Sequence, residues 1–373
     1  MSGPALAARQ PLGSFATLRV CPHINAIGRQ VPGHDVHRAF IDWAESRIGD
    51  SRARKVFDRM AERSGIEHRW SVLPLTESGG SPVAPGGFYH GELPSTGARM
   101  QLYAEAAPKL ALEAVAQLDN AAAVAGTTHL IVASCTGFVA PGIDQLIAAE
   151  LGLSGDVERT LVGFMGCYAA VSALRLAYHI VRSEPAARVL VITVELSTLH
   201  LQDESGIEPL LAMLQFGDGA AAALVTAEPK GFAISSPFAA TLQQSSELIR
   251  WTIGDSGFVM SLSGEVPGRI GEALRDPAVR EKVLGEASVG DIDSWAIHAG
   301  GRSVLDAVEH GLGLPPEALA ESRQVLARYG NMSSSTLMFV LAELLANRER
   351  RRGLALAFGP GLAAEGFHFE RAA

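Results

Sequence analysis

The chain has 373 residues, of which 47% are apolar and 19% are charged. This composition supports a sizeable buried core and excludes intrinsic disorder, and the length allows one large domain or two of ordinary size. With 40 acidic and 31 basic residues, the net charge of −9 argues against a general nucleic-acid or acidic-membrane surface, so no nucleic-acid partner is expected.

The cysteines and the N-terminus bear on the compartment of the protein. Cys21, Cys135 and Cys167 are too few for a disulfide framework and contain no CxxC pair for structural zinc. The histidine pair at 34–37 has no carboxylate cluster beside it, so we expect no metal site. Residues 1–20 lack a long apolar run, which predicts neither a signal peptide nor a transmembrane helix. We therefore expect a protein of the reducing cytoplasm without integral membrane association.

Short apolar runs alternate with helical periods along the chain. In the first half, runs typical of strands buried on both faces lie at 128–134, 159–166, 187–195 and 220–228, with predicted helices at 142–153, 167–183 and 206–214. In the second half, predicted strands lie at 231–242, 257–263, 294–300 and 353–361, with predicted helices at 301–314 and 331–351. The alternation indicates an α/β architecture, and its repetition predicts two similar halves, 1–228 and 229–373.

Cys167 stands between a predicted strand and a predicted apolar helix in the stretch GFMGCYAAV, 163–171. A thiol at a helix N-terminus meets the positive end of the helix dipole, which lowers its pKa and favours the reactive thiolate. The alternative is a structural thiol, because free cysteine is among the residues most often buried. The stretch alone leaves both interpretations open.

His298 and Asn331 also stand at predicted helix entrances. His298 ends the strand SWAIHAG and precedes two glycines, which let the backbone pass close to a ligand. The structural alternatives are a histidine satisfied in a turn and an asparagine that acts as an ordinary N-cap. With Cys167, however, the chemistry is coherent. The thiolate would take up an acyl group, while the imidazole and the carboxamide N–H would donate to one carbonyl oxygen and stabilise an enolate.

The chain resembles the type III polyketide synthases, the chalcone synthase-like branch of the thiolase superfamily. The resemblance rests on GCYAAVSALRLA (166–177), FGDGAAA (216–222), IHAGGRSVLD (297–306), YGNMSSST (329–336) and FGPGL (358–362), and it runs from about residue 17 to residue 369. It implies a layered αβαβα thiolase-like fold and a homodimer. It also implies an acyltransferase that uses acyl-CoA and malonyl-CoA and needs no other cofactor.

The resemblance assigns roles to the three candidate residues. It implies that Cys167 carries the starter and the growing chain as a thioester, and that His298 and Asn331 assist malonyl decarboxylation and stabilise the enolate. His298 would also form an ion pair with the Cys167 thiolate. Phe216 matches the gatekeeping phenylalanine between the entrance tunnel and the cavity, and Met260 replaces the family's second gatekeeping phenylalanine.

Further residues match positions that line the family's cavity. They are Cys135, Thr136, Ala140, Ser197, His200 and Trp251, to which we add Ser333. Cys135 replaces a threonine of plant members, and we expect it to line the cavity without a second covalent role. Ala140 falls where the family has a methionine that reaches across the dimer. Trp251 replaces a glycine, which would block the usual starter pocket. The stretch 249–263 is similar to bacterial members that make alkylresorcinols and alkylpyrones, which favours a medium- or long-chain starter.

Three cations recur at intervals of four residues near the start of the chain. Lys55, Arg59 and Arg63 would lie on one helix face. Arg59 and Arg63 match family positions that bind the CoA phosphates, and Lys55 lies beside a third such position. The alternative is a solvated helix of alternating charge.

Two other functions remain as alternatives at this point. A ketoacyl-ACP synthase III-like enzyme uses the same three residue types for a single condensation with an acyl carrier protein, although HAGG and FGPGL argue against it. A non-catalytic scaffold would be expected to lose the nucleophile, and Cys167, His298 and Asn331 are all present. We therefore expect iterative condensation of malonyl-CoA onto an acyl starter, followed by closure to a pyrone or a resorcinol.

Overall fold

The computed structural model describes residues 20–118 and 124–373. Residues 1–19 lie outside the described residues. They belong to the stretch in which no signal peptide is predicted, and they include residues 17–19 of the family resemblance. The strands are β1 His23–Gln30, β2 His34–Asp35, β3 Trp70–Ser71, β4 His129–Ser134, β5 Glu158–Gly163, β6 Val189–Leu196, β7 Asp218–Thr226, β8 Phe232–Thr241, β9 Ile249–Gly254, β10 Gly257–Leu262, β11 Ser294–Ile297, β12 Arg352–Gly359 and β13 Ala363–Arg371. The helices are α1 His37–Arg47, α2 Ser51–Arg63, α3 Thr96–Ala116, α4 Ile143–Glu150, α5 Ala169–Ser183, α6 Ile207–Gln215, α7 Val266–Arg275, α8 Pro277–Leu284, α9 Arg302–Leu312, α10 Ala320–Tyr329 and α11 Ser334–Ala346.

Nine of these strands form one mixed sheet in the order β11-β12-β13-β8-β1-β7-β6-β4-β5. The two halves of the sheet have the same pairing directions when they are counted outward from the centre. Each half has two antiparallel pairings followed by a parallel one, in the order β1-β7-β6-β4 and in the order β8-β13-β12-β11. The two sets meet through only two residue pairs, between β1 and β8. The predicted α/β fold of two similar halves is confirmed, while the chosen division between residues 228 and 229 stays a prediction.

Apolar side chains divide the fold into layers. Leu174 of α5 and Leu337 of α11 share one core with Val191 of β6 and Ala355 of β12, so these two helices lie between the two halves of the sheet. Helices α1–α4 and α6 cover the outer face of the first half, and α7–α10 cover that of the second. The resulting order is helix, sheet, helix, sheet, helix, which is the expected αβαβα arrangement.

Strand β5 departs from the sequence prediction. The run at 159–166 predicts a strand buried on both faces, but Glu158–Gly163 is the last strand of the sheet and is mostly exposed. Within the described residues it pairs only with β4, and its Leu161 is 44% exposed. The prediction was wrong because an apolar run does not distinguish an edge strand from a central strand that other elements of the same chain cover on both faces.

Several elements were missed by the sequence analysis, and their sequences explain why. They are β1, β9 and β13 among the long strands and α1, α3, α7, α8 and α10 among the helices. α3 contains Pro108 and begins with Thr96 and Gly97, which are poor helix formers. None of the helices in the described residues has the length and apolar character needed to span a bilayer.

Candidate active site

Cys167 lies in a short 3-10 turn, Gly166–Tyr168, between β5 and α5. The turn packs against the end of β12. A Cβ atom on Gly166, whose φ is +70°, would lie 2.5 Å from the ring of Pro360. Only glycine allows this close approach. The contact with Pro360 fixes the turn, in which Cys167 is 8% exposed.

Burial, rather than the helix dipole, decides the ionisation of Cys167. The helix begins at Ala169, and burial raises the pKa of the Cys167 thiol to about 12, against which hydrogen bonds from Ser333 and Asn331 act. The expected lowering of this pKa was therefore wrong. Burial also lowers the pKa of His298 to about 3. Burial thus favours the neutral form of each group taken separately, and the expected ion pair between them stays a prediction.

His298 directly follows β11, and its backbone N–H donates to the Leu356 carbonyl at 2.8 Å. Its ring is 2% exposed, and neither ring nitrogen has a hydrogen-bond partner within the described residues. A buried polar group without a partner is unfavourable. The ring is therefore not satisfied by its turn, and both nitrogens are available to a ligand.

Asn331 does not act as the N-cap of α11, which begins three residues later. Its Nδ2 donates to the Gly300 carbonyl at 3.1 Å, and its Oδ1 accepts from the Ser333 N–H at 2.8 Å. Its backbone N–H donates to the Gln215 carbonyl at 2.8 Å. Because an amide nitrogen carries two hydrogens, the second N–H can donate to the Cys167 sulfur or to a bound substrate.

The three candidate residues meet at one cavity. Cys167, His298 and Asn331 line a cavity of about 380 Å³, here called the entrance cavity. An inner cavity of about 20 Å³ also has Cys167 in its wall, and a side cavity of about 90 Å³ lies beyond it. Phe216 and Met260, the two predicted gate positions, line all three cavities.

Trp251 and Ser197 form part of the wall that the inner and side cavities share. The Trp251 Nε1–H donates to the Cys135 carbonyl at 2.8 Å, and its ring meets His200 edge to face at 5.4 Å. His200 Nε2 donates to the Thr136 carbonyl at 2.7 Å, and burial lowers its pKa to about 3. This neutral, fully bonded ring holds the wall in place.

Glu195 is a buried carboxyl group that the sequence analysis missed. It accepts hydrogen bonds from the Cys135 N–H at 3.0 Å, the Thr136 hydroxyl at 2.9 Å and the Ser334 hydroxyl at 2.5 Å. Burial raises its pKa to about 7. A single acidic residue inside the apolar run VLVITVEL was the available signal, because an isolated buried carboxylate is unfavourable.

Four predicted residues lie outside the walls of these cavities. Lys55, Arg59 and Arg63 are exposed on α2 and form no ion pair with the described residues, although Met60 of the same helix lines the entrance cavity. Ala140 is exposed and borders none of the three cavities of its own chain.

The histidine pair considered for a metal is engaged elsewhere. His34 Nδ1 bonds with the Leu73 carbonyl at 2.8 Å, and His37 Nδ1 accepts from Arg69 Nε at 3.0 Å. In the described part of the chain, no group of three or more His, Cys, Asp or Glu side chains is placed to hold a metal ion.

Comparison with protein families decides the identity of the fold and site. Residues 20–229 match the family model for chalcone and stilbene synthases, N-terminal domain, and residues 234–371 match the model for the C-terminal domain. The chain belongs to the chalcone and stilbene synthase family. It is a type III polyketide synthase, a malonyl-CoA-dependent condensing acyltransferase.

Curated relatives of this polyketide synthase come from bacteria and plants. The chain is 37% identical over 288 residues to the alpha-pyrone synthesis polyketide synthase-like Pks18 of Mycobacterium tuberculosis, covering 73% of this chain and 72% of the relative. It is 34% identical over 330 residues to bisdemethoxycurcumin synthase of Oryza sativa subsp. japonica, covering 83% and 81%.

Solved structures agree with this assignment. The type III polyketide synthase domain of Steely1 from Dictyostelium superposes with a TM-score of 0.84 at 25% identity, and PKS-I of the brown alga Ectocarpus siliculosus with 0.83 at 28%. Each comparison covers 95% of this chain and 100% of the other. The comparisons give no support to a ketoacyl-ACP synthase III-like enzyme.

Proposed function

We propose that this synthase loads a medium- or long-chain acyl-CoA starter onto Cys167, extends it with malonyl-CoA and closes the product to an alkylpyrone or alkylresorcinol. One observation carries the assignment of residues. Cys167, His298 and Asn331 line a single cavity, where both ring nitrogens of His298 lack partners in the described chain and Asn331 has one N–H that Gly300 does not use.

Loading transfers the acyl group from the CoA sulfur to the sulfur of Cys167. A ring nitrogen of His298 accepts the thiol proton and passes it to the leaving CoA sulfur, as the new C–S bond forms and the old one breaks. Because burial favours the neutral thiol and imidazole, we expect the proton to move to His298 only as the C–S bond to the bound acyl-CoA forms.

Extension begins with malonyl-CoA in the entrance cavity. A ring N–H of His298 and the remaining N–H of Asn331 donate to its thioester carbonyl, so the electron pair released with carbon dioxide is held as an enolate. The enolate carbon attacks the acyl carbon on Cys167, and the Cys167 thiolate leaves. The lengthened chain is then on CoA and returns to Cys167 for the next cycle.

The side cavity provides space for the starter chain. Its wall includes the apolar side chains of Phe40, Leu73 and Met213, and it meets the inner cavity at Trp251 and Met260. Burying an alkyl chain there is favourable by about 0.8 kcal/mol per methylene group. The name of the Mycobacterium relative, which refers to alpha-pyrone synthesis, supports the same product class.

The rim of the entrance cavity is suited to the CoA phosphates. Arg59 and Arg63 lie on α2 on either side of Met60, which lines the cavity, and both lack an acidic partner in the described chain. Unpaired guanidinium groups can bind phosphate oxygens in bidentate geometry. Lys55, one turn before Arg59, would add a weaker contact.

We extend the proposal to a homodimer of cytoplasmic chains that needs no cofactor beyond CoA thioesters. The exposed edge strand β5 carries Leu161, and Phe138 and Phe164 beside it are 51% and 41% exposed. Exposed strand edges with large apolar side chains are typical of surfaces that pair with another chain. Ala140 lies near Phe138 in the chain and would face the partner.

The proposal is tested by incubating the purified protein with malonyl-CoA and a series of acyl-CoA starters from acetyl to stearoyl, with product masses recorded. We expect pyrones or resorcinols from the longer starters. Cys167→Ala should make no product, whereas Cys21→Ala, which removes an exposed thiol elsewhere, should retain activity. Products from short or aromatic starters only would contradict the assigned starter, and polyketides from Cys167→Ala would contradict the assigned nucleophile.

A further inference from the structure

Ser333 lies between two sulfur atoms in the wall of the inner cavity. Its Oγ is 3.7 Å from the Sγ of Cys167 and 3.2 Å from the Sγ of Cys135. All three residues line this cavity, and the serine is only 3% exposed. The hydroxyl is therefore screened from bulk water and has two sulfurs as its near neighbours.

The hydrogen bonds at Cys135 decide how the hydroxyl proton is used. The single S–H of Cys135 donates to Glu195 Oε2 at 3.4 Å. The Cys135 sulfur therefore faces Ser333 as an acceptor. A serine hydroxyl has one proton, so Ser333 can donate either to Cys135 or to Cys167, but not to both at once.

The backbone of Ser333 is held in an unfavourable conformation. Its φ of +47° and ψ of −128° lie in a region that residues with a side chain rarely adopt. The N–H of Ser333 donates to Asn331 Oδ1 at 2.8 Å, which ties this conformation to a residue of the candidate active site. Strain of this kind persists where the surroundings enforce it, and it is concentrated at functional sites.

We propose that Ser333 is a catalytic hydrogen-bond donor to the Cys167 thiolate. The proton of the Ser333 hydroxyl points either to the sulfur of Cys135 or to the sulfur of Cys167. When Cys167 loses its proton, its anionic sulfur becomes the stronger acceptor and receives the Ser333 hydroxyl. When the acyl thioester forms, that sulfur becomes a poor acceptor and the hydroxyl turns back to Cys135. The inference rests on the proposed role of Cys167 as nucleophile.

The ionisable groups that face Cys167 come from four elements. They are His298 after β11, Cys135 after β4, Glu195 in β6 and Tyr168 in the same turn. Glu195 opposes the thiolate by charge repulsion, and burial raises the pKa of Cys167. Among the groups that lower this pKa, Ser333 has the largest effect, ahead of Asn331.

The test measures the rate at which iodoacetamide alkylates the Cys167 peptide between pH 6 and pH 11 in the full-length protein. Ser333→Ala and Ser333→Gly should each raise the apparent pKa of Cys167 by about one unit or more, the effect of losing one hydrogen bond to a charged group. The glycine variant relieves the backbone strain and guards against misfolding.

Cys135→Ala should shift the apparent pKa of Cys167 in the opposite direction, because it removes the competing acceptor. Ser335→Ala is the matched control. Its hydroxyl is buried two residues away and bonds to Thr193 and Gly219, so its loss should leave the pKa unchanged. An unshifted pKa in both Ser333→Ala and Ser333→Gly would overturn the inference, as would an increase in Cys135→Ala. Polyketide synthesis by Cys167→Ala would refute the proposed function separately.

Discussion

Trp251 and Met260 are paired across the β9–β10 hairpin, and both line the inner and the side cavity. One hairpin therefore supplies two adjacent parts of the wall between the nucleophile and the side cavity. The indole is fixed by its bond to the Cys135 carbonyl, whereas the methionine side chain is flexible. We infer that Trp251 sets the shape of this passage and that Met260 adapts to the chain that fills it.

Replacing Trp251 with alanine should join the inner and side cavities. We expect the preferred acyl-CoA starter to become longer. Removal of the half-buried indole should lower the free energy of unfolding by about 2 kcal/mol. The readouts are kcat/KM across starters of increasing length and a urea unfolding curve. Ile253→Ala, an exposed position on the same strand, is the control. An unchanged starter preference would show that Trp251 is not the limiting wall.

Arg59 and Arg63 at the rim of the entrance cavity should bind the phosphate groups of CoA. The double variant Arg59→Ala and Arg63→Ala should lower kcat/KM for malonyl-CoA by about tenfold or more, since bonds to charged groups contribute about 1.5–3 kcal/mol. Malonyl N-acetylcysteamine, which has no phosphates, should be unaffected. Arg52→Ala on the same helix is the matched control. Equal losses with both substrates would mean that the two arginines support the fold instead of binding CoA.

Glu195 should make stability depend on pH. Burial raises its pKa from 4.5 to about 7, so the folded state binds its proton before the unfolded state does. The destabilising effect of the buried charge is present above about pH 7 and is lost as the pH falls towards 4.5. The free energy of unfolding of wild type, relative to Glu195→Gln, should therefore be about 2–3 kcal/mol higher at pH 5 than at pH 8. Equal differences at both pH values would contradict this account.

The exposed edge of the sheet should carry the subunit contact. Leu161→Lys puts a charge on β5 that would be unfavourable to bury, so we expect monomers by light scattering where wild type gives dimers. Leu75→Lys changes another leucine that is 44% exposed and should leave the dimer intact. A monomeric wild type, or a dimeric Leu161→Lys protein, would refute this surface.

The central strands could be predicted because burial on both faces leaves a continuous apolar run in the sequence. β6 is such a strand, with all eight residues buried. The same rule failed at β5, whose apolar residues are exposed at the edge. Helix α3 was missed because Pro108 lies inside it, where neighbouring elements maintain the helix despite the proline.

The candidate site was predictable as a set of residue types, but not in its electrostatics. Cys167, His298 and Asn331 were named from the sequence and line one cavity. Burial favours the neutral forms of the thiol and the imidazole, and the helix-start pattern does not reveal that burial. The positive φ of Ser333 was equally hidden, because local sequence gives no reason for a serine to adopt it.

The most direct test of the account is the mass of the intact protein after incubation with a long-chain acyl-CoA and no malonyl-CoA, followed by peptide mapping. We predict that wild type and Cys21→Ala gain one acyl group on the Cys167 peptide and that Cys167→Ala gains none. An acyl group on Cys135, or acylation of the Cys167→Ala protein, would contradict the assignment of Cys167 as the nucleophile.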